Sequence, residues 1–109
     1  MALTYGRQFA AQELPNAAGS LFTLSSGNIR NMTILLVNHT AGAVTVTGHV
    51  IPSAGSVGND NYFMDAESIG AGDRLEVNVP QMAAGDDLQM FASAANSITV
   101  HDLDSVVRT

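Results

Sequence analysis

The chain has 109 residues, of which 46% are hydrophobic and only 13% charged, about half the charged share of an average soluble domain. That length fits one domain, and the net charge of −6, with four scattered cations (Arg7, Arg30, Arg74 and Arg108), excludes the clustered positive surface that nucleic acid requires. Cysteine is absent, which excludes a disulfide framework, a thiolate nucleophile and a thiolate metal site.

The chain opens Met1-Ala2-Leu3-Thr4-Tyr5, without the basic stretch and apolar core of a secretory signal. Residues 1–15 read as an extended N-terminal arm, closed by a turn at Pro15-Asn16. The arm carries Leu3, Tyr5 and Phe9, side chains that a disordered tail rarely holds. With no partner predicted inside the domain, it is expected to dock on a neighbouring subunit or on a larger protein assembly. Residues 16–109 form the folded domain.

Leu21 to Leu24 is the first short strand, followed by a turn at Ser25-Ser26-Gly27-Asn28. Arg30 to Thr40 holds the strongest strand signal. Its centre, Ile34-Leu35-Leu36-Val37, is apolar on both faces and far too short to span a membrane. Such a strand is either covered on both sides or meets a partner subunit through Leu35 and Val37. Ala41-Gly42-Ala43 turns the chain into Val44 to Ile51, which alternates cleanly and puts Val46 inward. The stretch from Arg30 to Pro52 is therefore predicted as a hairpin, with Leu36 and Val46 in the core.

A Gly/Ser/Asn loop from Pro52 to Asn61 leads to Tyr62-Phe63-Met64, a strand continuing to Ile69. Ala71-Gly72-Asp73-Arg74-Leu75 then returns thirteen positions later as Ala84-Gly85-Asp86-Asp87-Leu88. Each copy is a turn opening an apolar alternation, and together they predict neighbouring strands of a meander. Leu75, Val77 and Val79 point inward, and Pro80 ends their strand. After Leu88 to Ala92 and a turn at Ala94-Ala95-Asn96, the last strand begins at Ile98 and runs towards Val107. No helix of useful length is predicted. The pattern is all-β: a single antiparallel two-sheet sandwich, jelly-roll or immunoglobulin-like, with seven or eight strands.

Little in this pattern is arranged for chemistry. His101, Asp102 and Asp104 are the one local histidine–carboxylate cluster, but alternation puts both aspartates on a solvated strand face. His39, His49 and His101 lack metal-ligand spacing, so no metal is expected. Asp86-Asp87 reads as a turn with side-chain-to-backbone bonds rather than the carboxylate pair of a glycosidase. Ser53 to Gly58 lacks the lysine and helix of a phosphate loop. The sequons Asn31-Met32-Thr33 and Asn38-His39-Thr40 read as ordinary polar strand positions. Neither catalysis nor a cofactor is expected. The scarcity of charge points to surface covered by other protein, and an all-arginine cation set suits such interfaces.

The run from Val44 to Pro52, the Gly/Ser/Asn loop, Ile69-Gly70-Ala71-Gly72-Asp73-Arg74-Leu75-Glu76, Ala84-Gly85-Asp86-Asp87-Leu88 and Ile98-Thr99-Val100-His101 resembles small virion proteins of tailed bacteriophages. The resemblance covers roughly residues 30 to 107 and rests on turn chemistry and strand rhythm. It implies a β-sandwich capsid decoration (cement) protein on the outer surface of the head, made in the bacterial host cytoplasm. It further implies a homo-oligomer, a trimer, bound to the major capsid protein, with no nucleic acid and no membrane as partner. Tail, baseplate and fibre modules share the same features, although no extra receptor-binding domain is present here. A carbohydrate-binding module is the further alternative; it needs an exposed aromatic platform and preferably calcium ligands, whereas Tyr62-Phe63-Met64 reads first as core packing in a chain with few other large side chains.

Overall fold

The computed structural model describes residues 3–108, with Thr4 and Arg30 described by backbone alone. Met1 and Ala2 of the predicted arm, and Thr109, lie outside the described residues. Ten strands appear in chain order: β1 Leu3–Tyr5, β2 Gln12–Glu13, β3 Ser20–Thr23, β4 Asn28–Asn38, β5 Val44–Ile51, β6 Tyr62–Ile69, β7 Arg74–Val79, β8 Met82–Ala83, β9 Asp87–Ala92 and β10 Ile98–Arg108. The described residues contain no helix, and so none long and apolar enough to cross a membrane.

The strands form two antiparallel sheets. Sheet I has the order β1–β10–β4–β7, with β2 also on β10 and β8 also on β4; sheet II has the order β3–β9–β5–β6. Among the described strands, β5 and β6 are the only consecutive pair joined by hydrogen bonds. Every connection from β2 to β5, and again from β6 to β7 and from β8 to β10, crosses from one sheet to the other.

The inward side chains of both sheets form one core, an arrangement compatible with a sandwich. Ile34, Leu36, Ile98 and Val100 of sheet I meet Val44, Val46, Leu88, Met90 and Ala92 of sheet II. The smallest principal extent is 16 Å, as expected for two sheets about 10 Å apart. Leu36 and Val46, the predicted core residues, have no exposed surface.

The predicted hairpin from Arg30 to Pro52 does not form: β4 pairs with β10 and β7, while β5 pairs with β6 and β9. The turn is real, but it carries the chain between sheets. Asn38 sets this crossing. Fully buried, its side-chain amide donates to the carbonyls of Gly42 (2.9 Å), Ile69 (2.9 Å) and Gly70 (3.1 Å). Its carbonyl accepts the Thr40 N–H at 3.0 Å. One side chain thus ties the β4–β5 turn to the β6–β7 turn. The second sequon is accordingly occupied by a core hydrogen-bonding residue.

The repeated Ala-Gly-Asp turns likewise do not open neighbouring strands. The first leads into β7 of sheet I and the second into β9 of sheet II. Gly85 has a φ of 91°, a left-handed conformation that glycine adopts without strain, and Asp86 accepts the Ala83 N–H at 2.9 Å in a side-chain-closed turn. That turn delivers the chain to the other sheet.

The N-terminal segment has its partner inside the chain. Leu3, Thr4 and Tyr5 pair with Arg108, Val107 and Val106, and Gln12 and Glu13 pair with Val100 and Thr99. Between these pairings, the Gln8 N–H donates to the Asp102 carboxylate at 2.6 Å, and the Ser105 hydroxyl donates to the Gly6 carbonyl. Leu14 is buried, and Phe9 packs against the core with its ring 6.0 Å from that of Phe22.

Candidate interaction face

The candidate residues Leu35 and Val37 lie on the side of β4 opposite Ile34 and Leu36. The inner pair is fully buried; the outer pair is half-buried. Ladder register places them in rows that cross sheet I. One row runs Glu13–Thr99–Val37–Arg74, and the next runs His101–Leu35–Glu76. A third runs Asp104–Thr33–Asn78 and a fourth Tyr5–Val106–Asn31. None of these outward side chains is fully buried, and Tyr5 is 69% exposed.

The centre of the face is Thr33, Leu35, Val37, Thr99 and Val106, with His101 and the exposed Asp104 carboxylate beside them on β10, while Glu13, Arg74 and Glu76 stand on the edge strands. Glu13 reaches the His39 ring at 3.3 Å, the one salt bridge among the described residues, while Arg74 at the opposite edge joins no salt bridge. Leu3, also exposed, continues the apolar character past Tyr5, whereas Phe9 is directed against the core and away from this face.

His101, Asp102 and Asp104 do not form the predicted pattern. A bulge between Asp102 and Asp104 breaks the alternation, so Asp102 is buried beneath residues 6–8 while Asp104 is exposed. The Ser105 hydroxyl lies 3.1 Å from the same carboxylate oxygen that accepts Gln8. Asp102 thus anchors the N-terminal loop to β10. A one-residue bulge leaves no signature in local composition, because it is defined by counting against the partner strand.

The outer side of sheet II has a different character. Thr47, His49 and Ile51 point outward by alternation, yet all three are buried. Tyr62 lies against His49, the 52–61 loop lies over Ile51, and the Ala66 N–H of β6 donates to the Thr47 hydroxyl. The His49 ring lies 4.1 Å from that of Tyr62, and its Nδ1 is 2.7 Å from the Asn61 side-chain oxygen, which makes Nδ1–H the donor. Asn61 also accepts the Gly58 N–H and donates to the Ser56 carbonyl, which folds the loop on itself. Tyr62 remains 43% exposed. Phe63 instead packs against the core, over Gly48, where an added Cβ would sit 2.7 Å from the ring. Of the two rings weighed as an aromatic platform, Phe63 is part of the packing and Tyr62 is exposed. His49, on the same strand face as Thr45 and Thr47 by alternation, is a buried support for it.

Among the described residues, no three His, Asp or Glu side chains are grouped to hold a metal ion. No family model matches the chain, and no curated protein or solved structure matches it.

Proposed function

We propose that this chain is a jelly-roll structural protein of a tailed-phage virion, without enzymatic activity. Its place is the outer surface of the capsid, where it binds the major capsid protein and copies of itself and strengthens the shell as a decoration (cement) protein. The observation that carries the fold part of this reading is strand order. Counting β1 with β2 as one edge and β7 with β8 as the other, eight strand positions form two four-stranded sheets. Connections that alternate between sheets, with one hairpin at β5–β6, support the two-Greek-key path of a jelly roll, an architecture used by viral capsid domains.

The role draws on the resemblance in turn and strand pattern, on the low charge, and on the uncovered outer face of sheet I. An edge built from two short strands, β1 and β2, leaves little continuous ladder for unwanted strand addition, as a protein displayed at high local density requires. The same features suit a tail, baseplate or fibre component. A carbohydrate-binding reading draws only on the exposed Tyr62 ring.

The test is reconstitution. Purified chain is added to particles whose gene for it has been deleted, and bound chain is read after sedimentation. Saturable binding to heads, with loss of DNA shifted to higher temperature, is the expected result. Binding only to tails moves the chain to the alternative location, and no binding to either part contradicts the proposal.

A further inference from the structure

We infer that the outer face of sheet I docks a second copy of this chain, the two sheets stacking face to face about a two-fold axis parallel to the strands. This rests on the reading that the chain self-associates, and it names the surface and the symmetry. Glu13 and Arg74 end the same cross-strand row, on opposite edges of the sheet, with Thr99 and Val37 between them. When one copy is turned over about an axis running between β10 and β4, rows stay aligned while the strand order reverses. Each β10 then faces β4 of the other copy, and each β2 edge faces a β7 edge.

Under that operation Glu13 of each copy meets Arg74 of the other, twice by symmetry. Thr99 faces Val37, His101 faces Leu35, and the Asp104 carboxylate comes opposite the Thr33 hydroxyl rather than another acid. The apolar and hydroxyl-bearing centre is buried, and one Glu13–Arg74 pair forms at each edge. Sheets packed face to face lie about 10 Å apart and cross at about 30°. With strands about 4.8 Å apart, the crossing displaces the row ends by about 4 Å. An arginine and a glutamate together span that gap.

The face is also where an acidic chain best tolerates a copy of itself. Glu13, Glu76 and Asp104 on it are accompanied by Arg74. Asp65 and Glu67 lie instead on β6, Asp87 on β9 and Asp60 in the 52–61 loop. On the outer side of sheet II the chain covers itself at three positions: Tyr62 lies against His49, the 52–61 loop lies over Ile51, and the Ala66 N–H donates to the Thr47 hydroxyl.

The test is the mass of the full chain free in solution, by sedimentation equilibrium over a concentration series. The parent should reach twice the mass of one chain. Glu13→Arg and Arg74→Glu should each raise the concentration of half-dissociation by about tenfold. The double variant E13R/R74E should recover most of that loss, because the pair is restored with its charges exchanged. Recovery also separates this pairing from the contact of Glu13 with His39 in the same chain. A parent that stays single at high concentration, a three-fold mass, or a double variant no better than the singles overturns the inference. The parent's mass decides the matter even where a variant folds poorly. Because no particle enters the measurement, failure here is distinct from failure of the virion reading, which the reconstitution tests.

Discussion

The two outer faces of this protein solve the same problem in different ways. Each sheet has an inner side committed to the shared core and an outer side with side chains too apolar or too constrained to leave wholly in water. Sheet II covers its outer side from within. The 52–61 loop folds back, Asn61 fixes it through four hydrogen-bonded groups, and Tyr62 closes over His49. Sheet I has no such cover, and its Leu35, Val37 and Val106 remain half-buried. The difference shows that burial on a β-strand is decided as much by which loop returns over it as by its alternation.

The comparison is first bounded by the core that both sheets share. Val46→Asp buries a carboxylate among Leu88, Met90 and Leu36, and should cost about 4 kcal/mol or more, enough to unfold a small domain. Thermal melting by circular dichroism reads it, and a melting point within a degree or two of the parent would show the register of β5 to be wrong.

The covered face comes next. His49→Ala removes a buried ring, its contact with Tyr62 and its hydrogen bond to Asn61, and should destabilise the fold by about 2–3 kcal/mol in urea titration. The uncovered face should respond far less. Val37→Thr, at a half-buried outward position, should change the stability of the single chain by under about 0.5 kcal/mol. Equal costs at the two positions would erase the distinction between the faces.

A small effect of opposite sign concerns the bulged edge of sheet II. Ala66 has a φ of 48°, in the left-handed region, held there by donation of its N–H to the Thr47 hydroxyl at 3.1 Å. Ala66→Gly should relieve that strain and raise stability by about 0.5 kcal/mol. A decrease would mean that chain entropy outweighs it.

What the sequence made legible was local. Alternation assigned the inner faces of β4, β5 and β7 correctly, and Leu36, Val46, Leu75, Val77 and Val79 all face the core. Gly72-Asp73 and Gly85-Asp86 are turns, as their composition requires. Partners were not legible. The turn after β4 has the same composition whether the chain pairs with itself or crosses to the other sheet, and the crossing depends on Asn38 reaching carbonyls some 31 and 32 residues away. The pairing of β1 with β10 joins the two ends of the chain, beyond any local pattern. The burial of Asp102 and His49 arises from a bulge and a returning loop, neither of which alters the hydrophobic rhythm. Of the residues expected to meet a partner, Leu3, Tyr5, Leu35 and Val37 stay at the surface to different degrees, and Phe9 turns to the core.

We propose that this fold is a repeated component of a phage head. Counting its copies per purified particle, by quantitative mass spectrometry against the major capsid protein, tests it most directly. On the order of hundreds of copies, in a fixed small-integer ratio to the capsid protein, is the predicted result for a surface that follows shell symmetry. A chain absent from particles, or present in about a dozen copies as the symmetry of a tail would give, contradicts it.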